Sequence, residues 1–404
     1  MREPAQEELK LLRALFVGGQ TTRAILAQGT RLSPPRVSSV LERLEKRGYV
    51  QKAGKATNQR GRPSYLFQIR PDMGYSLGLA VGADHFRVVV MNGAKEITVR
   101  REFPLVLPTG TPTPAEAIVD QLSAEVSKLL RRDFAKLRPI VGLGVALPGL
   151  VDTYAGTWLL GLWLPGIARV PVVSRLRERL SLPVSIEDIA RSVAVYEMHR
   201  GLGQQMRSFA LLYLGAGVGS GIVMNREIYR GLHGMAGEIG HIEHADNDYR
   251  CVCTNVGCFE TIISATGIRR VIRDRLAEGV TSSLKYEGQN PDLDRVLEAA
   301  RAGDRFAQST LREIGEFLGD ACAILIKMFN PEGLIISGNA SMFRDYFAEP
   351  VDQAIRRRVL PDMLVGFRLT FADYDPYQEA HGAALVAMEQ HLDWRLQQRE
   401  QPVA

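Results

Sequence analysis

The chain has 404 residues, a hydrophobic fraction of 46%, a charged fraction of 24% and a formal net charge of +5, which is ordinary for a soluble globular protein of two or three domains. The start, MREPAQEELK, is charged and lacks the apolar core of a signal peptide, and no later stretch offers about 18 uninterrupted apolar residues. A cytoplasmic protein without a membrane partner is therefore expected. Charge is unevenly spread: residues 1–70 hold 14 Lys and Arg against 5 Asp and Glu, a net of +9, while the remaining 334 hold 36 against 40, a net of −4. A basic module on a mildly acidic body points to a polyanion partner for the first part alone.

In that module Leu11, Leu12, Leu15 and Phe16 recur at helical spacing before Gly18 and Gly19. Thr21 or Thr22 can cap a short second helix over 23–28, ending at Gly29. Ser33 is a good N-cap and Pro34 suits the first helical position of a third helix. Val37, Val40, Leu41 and Leu44 put one face of it inward and leave Arg36, Ser38, Ser39, Glu42 and Arg43 facing out, with Gly48 as terminator. Two helices joined by a short turn, the second presenting Arg and Ser, form a helix-turn-helix whose outer face enters a major groove. Strands over 49–52 and 65–69 would then flank a wing carrying Lys55, Arg60 and Arg62, suited to phosphates or a minor groove. The DNA-contacting set expected is Thr22, Arg23, Ser33, Arg36, Ser38, Ser39, Arg43, Arg60 and Arg62. A winged helix used only for protein contacts is the rival reading.

Residues 71–75 read as a linker. Beyond them a three-strand meander (77–81, 86–91, 96–103), a helix near 114–132 and strands at 141–146 and 184–186 are followed by a second such series. That series has strands at 208–214, 221–224, 227–229 and 334–337 and helices at 306–328 and 381–391. A strand-rich opening followed by α/β crossovers, twice over, predicts a two-lobed α/β body with a cleft between the lobes. The last helix is expected to return to the first lobe.

Residues 231–260 carry the densest chemistry. Cys251, Cys253 and Cys258 fall within eight residues, and His241 lies ten residues before the first. Three thiols and an imidazole are the ligand set of a closed structural Zn2+ site, and Cys251 and Cys253, two apart on a tight turn, can aim both sulfurs at one point. Free thiols or a disulfide are the alternative; Cys322 alone lies outside the cluster.

The glycine-rich run LGAGVGSG at 214–221 is uninformative alone, since glycines also serve tight turns. Joined to LPGLVD at 147–152, GEIGH at 237–241, the CxCxxxxCxE run and IISGN at 335–339, it resembles the ROK family (repressor, open reading frame, kinase) over residues 76–390. The basic module with its GRP sequence at 61–63 resembles the N-terminal winged helix-turn-helix of the family's repressor branch. The resemblance implies an α/β, two-lobed, actin-like (ribonuclease H-like) body binding a sugar in its cleft. It assigns Glu238, His241 and Glu260 to sugar hydroxyls; Asp188, beside the position of the kinase base, is expected to remain as a further hydrogen-bond partner. Carboxylates accept from vicinal hydroxyls, and a metal-held imidazole is fixed in tautomer and direction.

Two departures from the kinase pattern bear on catalysis. Family kinases open with DxGxTK, whereas residues 80–85 read AVGADH, so Ala80 replaces the Asp and Asp84 the Thr. The kinases' base lies in a VENDAN-like segment; the match here, IEDIAR at 186–191, puts Ile189 where the base belongs, with Asp188 beside it. The expectation is a sugar-responsive transcriptional repressor with no catalytic residues. Its partners are an operator duplex and a monosaccharide or sugar derivative, and it assembles as a homodimer or homotetramer. An ATP-dependent sugar kinase carrying a DNA-binding domain is the alternative, and control by a regulatory partner protein is a third option. The sequence names neither the sugar nor the operator.

Overall fold

The computed structural model describes residues 3–56, 64–106, 115–132, 139–161, 164, 166–285 and 288–397. The expected wing residues Arg60 and Arg62 lie outside them. The chain divides into two units: residues 1–188 with 379 onward, and residues 189–378.

In the first unit α1 (Glu3–Gly18) buries Leu11, Leu12, Leu15 and Phe16, as the spacing requires. A short strand β1 (Thr21–Thr22) precedes α2 (Arg23–Thr30), whose cap is the Thr22 hydroxyl accepting from the Ile25 amide. Gly29 does not end α2: the helix continues to Thr30, and Arg31 takes the left-handed conformation at φ 59° that stops it. α3 (Pro34–Lys46) buries Val37, Val40, Leu41 and Leu44. Ser33 stands at its N-cap position, but its hydroxyl makes no capping bond, because two prolines at the first two helical positions leave fewer amides to cap. β2 (Val50–Ala56) and β3 (Ser64–Ile69) complete the winged-helix sheet in the order β1-β3-β2.

A single 3-10 turn (Pro71–Met73) leads into β4 (Tyr75–Val81), β5 (His85–Asn92) and β6 (Ile97–Pro104), the expected meander. After α4 (Ala115–Arg132) and β7 (Ile140–Leu147) a small sheet of β8 (Leu150–Asp152), β9 (Thr157–Leu160) and β10 (Ala168–Val170) intervenes. α5 (Val172–Leu180) and β11 (Val184–Asp188) follow. The main sheet runs β11-β7-β4-β5-β6. Apolar residues of α4 and α5, among them Ile118, Leu122, Val126 and Leu176, share a core with Leu77, Leu79 and Leu143 of the sheet. The opposite face is built for close approach: a methyl group on Gly78 or Gly144 would overlap the carbonyls of Ala380 or Ala383 in the last helix, which therefore packs in this unit.

The β5–β6 turn does more than reverse the chain. Asn92 clamps it by accepting from the amides of Ala94 and Glu96 at 3.0 Å each. The clamp places Lys95 in the left-handed region at φ 65° with only 7% exposure. Its ammonium donates to the Phe16 carbonyl at the end of α1 and lies 5.2 Å from the Phe16 ring centroid. A cation at a helix C-terminus meets carbonyls the helix leaves unpaired. Gly93 adds a bond from its amide to the Pro71 carbonyl at 3.0 Å.

The second unit repeats the plan. α6 (Ile189–Arg200) leads to β12 (Phe209–Leu214), β13 (Val218–Met224) and β14 (Glu227–Ile228). Then come α7 (Glu260–Ile263), α8 (Ala265–Ala277), α9 (Leu293–Arg301), α10 (Arg305–Phe329), β15 (Gly333–Ser337), α11 (Arg344–Arg358) and β16 (Arg368–Phe371), after which α12 (Gln378–Gln397) returns the chain to the first unit. The sheet order β14-β13-β12-β15-β16 matches β6-β5-β4-β7-β11 of the first unit strand for strand, with two antiparallel pairings followed by two parallel ones.

The 25-residue α10 is the spine of this unit, and Asp304 caps it by accepting from Ala307 N at 2.9 Å. Burial alone would raise its pKa, but the amides of Ala307 and Ser283 and the hydroxyls of Ser283 and Ser282 outweigh it and hold the carboxyl at about 2. Asp304→Ala is expected to lower unfolding free energy by about 0.5 to 2 kcal/mol, measured by urea melts; equal stability at pH 7 would rule out this cap. The folded-state pKa is depressed, so the contribution is present above about pH 4 and fades as pH falls toward the folded value. The gap between wild type and variant should close over that window.

Candidate functional site

After β14 the chain forms no regular element until α7, and β13 supplies the scaffold for this stretch. The Gly237 carbonyl accepts from the Ser220 amide at 3.0 Å and its hydroxyl at 2.7 Å. Gly237 has φ 101°, and a methyl group there would overlap the Ser220 carbonyl; Gly240 sits as tightly on the Val218 carbonyl. Both glycines of GEIGH are thus required for the loop to lie on the strand. The glycines of the 214–221 run play the same part on the other side, Gly219 against the Ala190 side chain and Gly221 against Ala194 of α6.

A 3-10 turn (Ile239–His241) then presents Glu238, half-buried at its start, and His241 at its end. The cysteines follow on a small hairpin: Cys251 N donates to Asn255 O at 2.8 Å, and Thr254 and Gly257 adopt left-handed φ values of 80° and 87°. The ligand atoms of His241, Cys251, Cys253 and Cys258 all lie within 4.8 Å of one another. Cys251 Sγ is 3.6 Å from His241 Nδ1, and Cys253 Sγ is 3.6 Å from Cys258 Sγ. Tetrahedral zinc with sulfur at about 2.3 Å separates neighbouring sulfurs by about 3.8 Å, so this donor set fits a closed metal centre.

The electrostatics agree. Burial lowers the His241 pKa and so favours the neutral imidazole a metal needs. Burial pushes the Cys251 and Cys258 thiols up, with the neighbouring sulfurs adding to the effect at Cys258. A divalent cation offsets that cost by stabilising the thiolates directly.

Glu260 begins α7 beside this centre. Its Oε2 accepts from Val218 N at 3.0 Å and its Oε1 is 3.9 Å from Cys251 Sγ. Burial raises the carboxyl to about 7 despite the Val218 bond. The metal cluster, Glu238 and Glu260 therefore all belong to one loop system on β13. Asp188 ends β11, 9% exposed, and Ile189 begins α6 immediately after it. Ala80 is buried in β4, and Asp84, in the turn beyond, bonds His85 Nδ1 at 2.6 Å.

Sequence reasoning missed the loop's inner braces. Asn247 Nδ2 donates to Cys258 O at 3.0 Å and Thr261 Oγ1 at 2.8 Å. His244 Nδ1 accepts from Asp246 N, and its Nε2 lies 3.0 Å from Asp320 of α10, which Arg358 of α11 also binds. The imidazole packs edge-on to Phe317 at 4.8 Å. The readable signal was a second histidine three residues after the first.

In the winged helix the candidate DNA residues divide. Ser38 is half-buried and Ser39 exposed on α3. Thr22 is spent on its cap, and Arg23 lies over the Phe67 ring at 5.1 Å. Arg36 and Arg43, expected on the outward face, are partly exposed there and also reach α1, Arg36 bound to Glu7 and Arg43 to Glu8. Lys52 and Lys55 stack on Tyr65 at 4.9 and 5.9 Å.

The family model of the ROK family matches residues 76–390. The chain belongs to the ROK family. This ROK protein is 27% identical to the xylose repressor of Caldicellulosiruptor bescii over 87% of each chain. It is 31% identical to a glucokinase of Halalkalibacterium halodurans over 73% of its own length and 89% of the glucokinase. A solved ROK family transcriptional regulator, described as a homolog of the E. coli MLC protein, superposes with a TM-score of 0.82 over 98% of this chain and 99% of that one, at 23% identity. The fold is thus the α/β ROK body preceded by a winged helix-turn-helix. Among the described residues no helix is long and apolar enough to cross a membrane.

Proposed function

We propose that this ROK protein is a sugar-responsive, DNA-binding transcriptional regulator, a repressor of carbohydrate uptake or catabolism genes. One observation carries the reading: the repressor and regulator relatives match along nearly the whole chain, whereas the glucokinase covers 73%. What the kinase match leaves over accommodates the basic winged helix. Loss of the kinase acid at Ala80 and of the base at Ile189 supports binding without phosphoryl transfer.

In this reading Zn2+ would be held by His241, Cys251, Cys253 and Cys258 and would supply rigidity, not chemistry. With the Nδ1 side of His241 toward the cysteines, Nε2 would be left to meet a sugar hydroxyl; Glu238 and Glu260 accept from others, and Asp188 is a further partner. Two copies of the winged helix engage operator half-sites through Ser33, Ser38, Ser39 and Arg36, backed by Arg60 and Arg62 toward phosphates, while Thr22, Arg23 and Arg43 are committed to contacts within the module. Sugar acts by binding two arrangements of the dimer with unequal affinity, typically about 1 to 3 kcal/mol of coupling. Thermal-shift screening of common hexoses, pentoses and N-acetyl sugars, paired with selection from a random duplex pool, tests this. The expected result is a stabilising sugar that alters affinity for the selected duplex. Absence of any selected duplex, together with ATP-dependent sugar turnover abolished by Asp188→Asn, would overturn it in favour of a kinase.

A further inference from the structure

We infer that Glu7 is a positioning residue that turns Arg36 into a reader of guanine. The inference rests on the DNA-binding reading above and deepens it. Arg36 is the third residue of α3, after Pro34 and Pro35, whose fixed φ angles hold this helix start. The N-terminal residues of a recognition helix are the ones that reach base edges.

What singles out Arg36 is that its inner nitrogen alone is held. Its Nε donates to both Glu7 oxygens, at 2.8 and 2.6 Å, and among the described residues nothing further engages its two terminal amino groups. The Glu7 side chain is 16% exposed and that of Arg36 42%, so the anchor is sheltered while the fork faces solvent. Arg43 of α3 and Arg47 just after it are held further out. Arg43 donates from Nε to Glu8 as Arg36 does to Glu7, but its Nη1 is spent on Ser39, and Arg47 Nη1 is spent on Glu8. Those two fasten α1 to α3; Arg36 is fastened at its inner nitrogen and left free at its tip.

A guanidinium gripped at Nε presents Nη1 and Nη2 end-on as a paired donor. Guanine offers the matching O6 and N7 acceptors in the major groove, whereas adenine puts an amino donor where O6 would be. Holding the side chain beforehand lowers the ordering cost of that contact. The Glu7 charge also repels phosphates, so the anchor weakens indiscriminate binding while sharpening choice. A contact that merely supported the module would move both in the same direction.

The test uses the full-length zinc-loaded chain as wild type, Glu7→Gln, Arg36→Lys and Arg36→Ala, each selected against a randomised duplex pool and titrated against random duplex. Wild type is expected to enrich one G·C pair per half-site and to prefer guanine over adenine there by about 5- to 150-fold. Arg36→Ala and Arg36→Lys bring that preference to near parity at that pair alone. Glu7→Gln reduces it several-fold while random-duplex affinity stays level or rises. Should Glu7→Gln fail to fold, Arg36→Lys decides alone, since lysine keeps the charge and the Glu7 pairing but lacks the fork; retention of the guanine preference by Arg36→Lys would overturn the inference. So would an unchanged preference in Glu7→Gln, or equal losses of selected and random duplex. A wild type that enriches no duplex defeats the DNA-binding reading itself, a different result from a wild-type motif that is indifferent to Glu7.

Discussion

Cys258→Ser is expected to strip the metal from the chain and to unravel residues 229–260. Cys258 is fully buried, its sulfur stands 3.6 Å from that of Cys253, and its carbonyl receives the Asn247 amide. A structural zinc site binds with an apparent free energy of about 10 to 16 kcal/mol, comparable to or above the entire stability of a typical domain at about 5 to 15 kcal/mol. The loop has no regular element of its own between Ile228 and Glu260 beyond one 3-10 turn, so its order depends on the bound metal together with the Asn247 and His244 braces. Metal analysis should fall from about one zinc per chain to near zero. The melting temperature should drop by several degrees and the sugar response should vanish. A chelator should reproduce these effects in the wild type and added zinc reverse them. Cys322→Ser, buried in α10 outside the cluster, should retain its zinc. Full zinc content in Cys258→Ser would remove this residue from the metal centre.

The second large effect is at Glu238. Hydrogen bonds to a charged group contribute about 1.5 to 3 kcal/mol each, so Glu238→Gln should weaken sugar binding by at least about 10-fold. A sugar present at about 100 times its dissociation constant adds about 2.7 kcal/mol to wild-type stability, and that increment should largely disappear. Glu238 lies far along the chain from the winged helix, so duplex affinity without sugar should match the wild type. The variant then binds its operator and ignores the effector. Unchanged sugar affinity would exclude Glu238 from the ligand set. No ATP-dependent turnover is expected from either protein.

The His241, Cys251, Cys253 and Cys258 cluster was legible because tetrahedral coordination would impose residue identity and spacing directly on the sequence. The two α/β series were legible for a related reason, since strands buried on both faces read as apolar runs. Helix ends were less so. Gly29 looked like a terminator, but a glycine inside a helix costs only about 1 kcal/mol, and the left-handed turn fell at Arg31. α11 escaped notice because it is highly charged and carries Pro350 within it; its place follows from the buried Phe347, Val351 and Ile355 and from the close approach of Gly315 and Gly319 of α10. The orientation of Arg36 and Arg43 was hidden for a different reason. Helical periodicity sorts inward from outward faces, whereas their partners Glu7 and Glu8 sit about 30 residues earlier on another helix. His244 was hidden likewise, its partners being on α10 and α11.

The buried ammonium of Lys95 bears on how such chains exchange their front ends. A grafted winged helix must offer a carbonyl free of helical pairing and a ring at the end of its first helix, where Phe16 now stands. Without both, the graft deprives a buried cation of its helix-end acceptor and its ring. Lys95 therefore acts as a compatibility key, and a hybrid that ignores it should melt at a lower temperature than one that keeps both groups.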